Sequence, residues 1–107
     1  MLDRKAIPIA ELMDVANMEL IRLDFKSSTL SRHSKEFRSF SNYCRENEIT
    51  VYDAETGPQY FQCCYGLDIG DSTMELTKQQ LDTRCSIRFL DDIFQFGYAL
   101  RYSHHDY

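Results

Sequence analysis

The sequence predicts an all-α protein, a compact bundle of four helices. Three observations carry that reading. Punctuation is sparse, with two prolines and four glycines in 107 residues, too few for a fold of many short strands. Apolar residues recur at three- and four-residue steps through the stretches 9–23, 30–44 and 81–96, the spacing of one helix face. Seven Phe and seven Tyr supply the volume that a single domain of this length needs to form a core without metal or disulfide help.

The first helix is expected from about Pro8, whose fixed φ suits a first helical position, to about Phe25. Ile9, Leu12, Met13, Ala16, Leu20 and Leu23 form its apolar stripe, with Glu11, Asp14, Glu19 and Arg22 toward solvent. A methionine in such a stripe is core, not a ligand site. The stretch Ser27–Glu48 gives the second helix, and the other helices read as its support. Ser27 or Ser28 is the expected N-cap, because a hydroxyl there accepts from an orphan backbone N–H. Leu30, His33, Phe37, Phe40 and Cys44 make the buried row, in which His33 reads as a packed neutral imidazole.

Ile49–Tyr52 is rich in β-formers but short and isolated, so it reads as an extended connector tucking Ile49 or Val51 onto the core. A short third helix, capped near Asp53 or Thr56, carries Tyr60, Phe61, Cys64 and Tyr65 as anchors and stops at Gly66. Leu67–Ser72 is a polar loop. The fourth helix begins at Thr73 or Thr77 and stops at Gly97. Leu81, Cys85, Ile87, Phe89, Leu90, Ile93, Phe94 and Phe96 form its broad apolar surface.

The charge of −5 argues at first against a nucleic-acid partner, but its distribution matters more than its sum. Residues 49–76 carry five acids and no base, whereas residues 26–48 carry five bases against three acids. The only net-basic segment is the second helix. A local basic face can hold phosphate while more distant acids are screened, at the cost of weak, salt-sensitive affinity. No apolar run is long enough to span a bilayer and no signal-peptide pattern opens the chain, so no membrane partner and a cytoplasmic location are expected. Cys44, Cys63, Cys64 and Cys85 lie within apolar patterns instead of spaced ligand pairs, which reads as buried reduced thiols with no metal and no cofactor.

The Ser27-Ser28-Thr29 cluster, the helix bearing Phe37-x-x-Phe40 and the acidic connector after it resemble the core-binding domain of tyrosine recombinases, the phage-integrase type. Ser28-Thr29-x-x-x-His33 stands where such proteins often show S-x-x-T-x-x-x-Y, with His33 in place of the more usual Tyr. Phe37, Phe40 and Tyr43 match the aromatic positions that follow, and Ile87–Leu90 with Phe94–Gly97 is similar to the domain's last helix. The likeness covers about residues 9–102.

The resemblance implies a SAM-like bundle over residues 1–97, with 98–107 opening a linker to a catalytic domain outside this chain. It implies a module that clamps double-stranded DNA opposite that domain, with a recombinase oligomer on DNA as a compatible assembly. No Arg…His-x-x-Arg…Tyr set occurs, and His104, His105 and Tyr107 lie in the tail, so the chain itself is expected to cut nothing. The expected DNA contacts are Ser28, Thr29, Arg32, Lys35 and Arg38 on the second helix, where cations and hydroxyls reach phosphates. Lys78, Gln79, Gln80 and Arg84 on the fourth helix join them, the amides being suited to adenine edges. Two other classes are weighed. One is a helical protein-interaction module. The other, a small enzyme, lacks a nucleophile–base pair, a phosphate loop or metal-ligand spacing.

Overall fold

The protein, described as a computed structural model over residues 6–70 and 75–97, is an all-α bundle. Its order is β1 (Ile7–Pro8), α1 (Ile9–Arg22), α2 (Ser27–Glu46), β2 (Val51–Tyr52), α3 (Thr56–Tyr65) and α4 (Lys78–Phe96). α4 is the central helix, packing against each of the other three. The expected tail 98–107 and the alternative start at Thr73 lie outside the described residues.

α1 starts one residue later than expected, with Pro8 as its N-cap (φ −56°, ψ 138°). It ends at Arg22 instead of Phe25, because the chain reverses at Asp24 (φ 51°), a left-handed position that a short polar side chain tolerates. The reversal sends Phe25 back onto the core. Leu12, Ala16 and Leu20 are buried as the periodicity requires. Glu19, expected in solvent, is buried as well. Its carboxylate accepts from Arg22 Nε (2.6 Å) and a terminal guanidinium nitrogen (2.9 Å), a bidentate pair that offsets the cost of burial.

Lys26, not a serine, is the N-cap of α2, and no side chain caps this helix. The reversal at Asp24 puts Ser27 and Ser28 inside the first turn, one step too late to cap. His33, Phe37, Phe40 and Cys44 are buried as expected, and Glu36 joins them. At the far end Glu48 takes a positive φ of 57° and Ile49 N–H bonds to Cys44 O at 2.8 Å, closing the helix with a backward-reaching bond.

The connector after α2 is a strand after all. Ile7 faces Tyr52 and Pro8 faces Val51 in a two-residue antiparallel ladder, extended by Ile9 N–H to Thr50 O at 2.9 Å. Tyr52 is the side chain driven deepest, Ile49 packs against the core as expected, and Val51 is 44% exposed. The pairing partner is remote in sequence, so no local pattern announces it. Tyr52 O–H donates to Asp91 at the α3–α4 side of the core, and burial holds that phenol well above its usual range.

Asp53 and Thr56 organise the start of α3 but cap it only indirectly. Asp53 N–H donates to Thr56 Oγ1 (3.0 Å) and Thr56 Oγ1 donates back to Asp53 Oδ1 (3.1 Å). Tyr60 and Phe61 are buried, and Tyr65 O–H pairs with Thr83 Oγ1 at 2.7 Å. Cys64, expected as an anchor, is exposed, as is Cys63, and Cys85 is half-buried. Of the four free thiols only Cys44 fits the buried expectation, and burial pushes it up to about 11. Gly66 ends α3 at φ 67°.

Gly57 sets the closeness of α3 to α4. A Cβ there would meet Ile87 Cγ2 at 2.6 Å and the Tyr52 hydroxyl at 2.9 Å. Gly57→Ala gains up to about 1 kcal/mol of helix preference but forces two packed groups apart, which costs about 1–3 kcal/mol. Chemical denaturation should therefore show net destabilisation; a variant as stable as the parent would contradict this packing.

α4 begins with a complete capping box. Thr77 Oγ1 accepts from Gln80 N–H (3.2 Å) while Gln80 Oε1 accepts from Thr77 N–H (2.9 Å). Gly97 ends it at φ 84°. Its buried face differs from the apolar list. Leu81 and Phe96 are 43% and 38% exposed, whereas Thr83, Ser86 and Asp92 are buried. Thr83 and Ser86 lie on the side where α4 meets α2, and their hydrogen bonds to Glu36 and His33 make that side compatible with burial.

Candidate nucleic-acid interface

α2 divides its side chains between two faces. Inward, Phe40 meets Tyr52 and Tyr60 edge-on at 5.9 and 5.1 Å, and Phe37 packs against Phe89 at 5.7 Å. His33 lies among Phe25, Phe37 and Phe89, with Nδ1 2.9 Å from Ser86 Oγ. Burial, then the neighbouring Arg32 guanidinium, lowers its pKa to about 4, with Asp82 opposing. At neutral pH His33 is an uncharged core ring.

Outward, Ser28, Ser31, Lys35, Arg38, Ser39, Asn42 and Arg45 are all exposed. Between Ser27 and Arg45 the helix has one carboxylate, Glu36, and the fold turns it inward. Glu36 is 6% exposed and accepts from Gln79 Nε2 and Thr83 Oγ1, both at 2.9 Å. The solvent face is therefore more basic than the segment's sequence balance.

The nine residues expected to touch DNA do not form one patch. Ser28, Lys35 and Arg38 lie on the outward face of α2, and Lys78 is exposed on the first turn of α4. Thr29 and Arg32 line a cleft beside the α1–α2 turn, where Arg32 Nε lies 3.7 Å from Asp82 Oδ1. Gln79 is held by Glu36, and Gln80 completes the capping box, so both amides have partners inside the fold. Arg84 is half-buried. It falls about 200° round α4 from Asp82, away from the side that meets α2.

Glu36, Thr83 and Ser86 are the polar residues that sequence reasoning missed. Glu36 was legible, since it stands three residues after His33 and four before Phe40 on the buried row. Thr83 and Ser86 had no signal beyond the same spacing on α4. Among the described residues no group of three or more His, Cys, Asp and Glu could hold a metal, and no helix is long and apolar enough to cross a membrane. Comparison with family models, with curated proteins and with solved structures finds no match.

Proposed function

We propose that this chain is a helical DNA-binding module whose α2 holds duplex phosphates on its outward face. The role is that of a core-binding domain in a site-specific tyrosine recombinase, acting with a catalytic domain and in an oligomer on DNA. The observation that carries the proposal is the inward turn of Glu36. It leaves Lys35, Arg38 and Arg45 exposed along a helix face supplied with serine hydroxyls and Asn42. Cations with hydroxyl and amide donors at helical spacing suit a row of phosphate oxygens. The engagement of Gln79 and Gln80 within the fold makes this backbone holding more than base reading. On this reading the chain itself performs no chemistry.

The test is duplex binding by fluorescence anisotropy over a salt series. Binding should weaken steeply with salt, and the Lys35→Ala/Arg38→Ala pair should lower the slope by about 2, one for each lost phosphate contact. Both are surface changes, so stability should stay within about 0.5 kcal/mol per site. Absence of duplex binding at low salt, or an unchanged slope, would sink the proposal.

A protein-interaction module is the second reading. It rests on Met18 and Ile21, which are 69% and 78% exposed on one side of α1 and three residues apart, so that they adjoin. It requires salt-insensitive association that Ile21→Ser weakens, with no DNA binding.

A further inference from the structure

The turn between α1 and α2 borders a half-open cleft of about 460 Å³, within the range of about 300–1,000 Å³ typical of small-molecule sites. Its walls are of two kinds. Leu23, Phe25 and the ring of His33 give an apolar side, while Lys26, Thr29 and Arg32 bring two cations and a hydroxyl. Arg32 is the decisive member. Its Nε is buried with no hydrogen-bond acceptor, because Asp82 Oδ1 at 3.7 Å stands beyond hydrogen-bond reach. Asp82 therefore holds Arg32 only loosely, and with the side chain 38% exposed the remaining guanidinium N–H groups are available to an oxyanion in the cleft.

We propose that this cleft binds a small organic anion, a carboxylate or phosphate carried on an aromatic or aliphatic body. The anionic group meets Arg32 and Lys26, and the body lies against Leu23, Phe25 and His33. His33 is uncharged at neutral pH and serves as wall, not as counter-ion. Asp24 also lines the cleft; it and Lys26 are both exposed, so water screens the two charges alike and Arg32 carries most of the attraction. Asp82 competes for Arg32 without satisfying it. The site is independent of the DNA reading, since Lys35 and Arg38 project from the outward face.

The test is amide NMR of the full chain titrated separately with phenyl phosphate, benzoate, inorganic phosphate and benzyl alcohol. The two aryl anions should give saturable shifts centred on residues 23–33. Inorganic phosphate and benzyl alcohol, each lacking half of the ligand, should bind about tenfold more weakly or less. Arg32→Gln should reduce aryl-anion affinity by about tenfold or more, as loss of a charged hydrogen bond implies. Asp82→Asn should raise affinity by freeing Arg32, a gain that a purely structural arginine would not show. If Arg32→Gln fails to fold, Lys26→Gln and Asp82→Asn carry the test. No saturation by either aryl anion, shifts centred elsewhere, or affinities indifferent to these substitutions would overturn the proposal. Equal binding of inorganic phosphate would overturn the apolar half of the site.

Discussion

Phe40→Ala is expected to cost about 3–5 kcal/mol, the usual loss for truncating a fully packed aromatic side chain. Phe40 is 2% exposed and joins three elements, meeting Tyr52 of β2, Tyr60 of α3 and Tyr43 of its own helix. Its neighbours are held by other contacts. Tyr52 is tied to Asp91 and stacked edge-on against Phe94 at 5.5 Å, so the vacated space cannot collapse easily. A domain of this size has total stability of only about 5–15 kcal/mol, so the variant should sit near the edge of folding. Equilibrium denaturation reads the effect directly; near-parental stability would show that the inward and outward faces of α2 are reversed.

The second large effect is a loss of stability on mild acidification, set by His33. Its folded pKa of about 4 lies below the ordinary histidine value of 6.5. The unfolded chain therefore binds the proton first, and between those two values stability falls as pH falls. Above about pH 6.5 the group contributes no slope, and below about pH 4 both states carry the proton and the slope vanishes. The interval corresponds to about 3 kcal/mol at 1.36 kcal/mol per pKa unit. Protonation would place a cation among Phe25, Phe37 and Phe89, beside Arg32, which gives the sign its physical cause. Comparing parent and His33→Gln between pH 6.5 and pH 5 isolates the effect, since the variant should lack most of the slope. Parallel pH profiles for the two proteins would contradict it.

Much of the fold was legible because its signals are local. Apolar spacing located all four helices, and Gly66, Gly97 and Thr77 mark ends that depend on a few neighbouring residues. The errors arose where distant parts of the chain decide the outcome. The β1–β2 ladder joins segments far apart in sequence, and neither segment alone could bury Tyr52. Polarity places Glu19 in solvent, but a bidentate arginine one turn away allows its burial. Apolar neighbours assign the cysteines to the core, yet on α3 Tyr60 and Phe61 are buried as expected while Cys64 is exposed.

The site was legible only in part, for the same reason. Lys35 and Arg38 could be placed outward from helical spacing alone. That Gln79 answers to Glu36, and that Arg32 leans toward Asp82, required the packing of α2 against α4. Sequence charge counts treated Glu36 as a neighbour of the basic residues, whereas the fold puts it on the other side of the helix. Patch electrostatics depend on which side of a helix a charge occupies, and segment sums discard that information.

The measurement that bears most directly on α2 as a DNA face is amide NMR of the full chain with a short duplex at low salt. The expected result is perturbation concentrated at Ser31, Lys35, Arg38 and Asn42, reversed by added salt, with Met18 and Ile21 unmoved. Perturbation centred on Met18 and Ile21, or none at any duplex concentration, would contradict it.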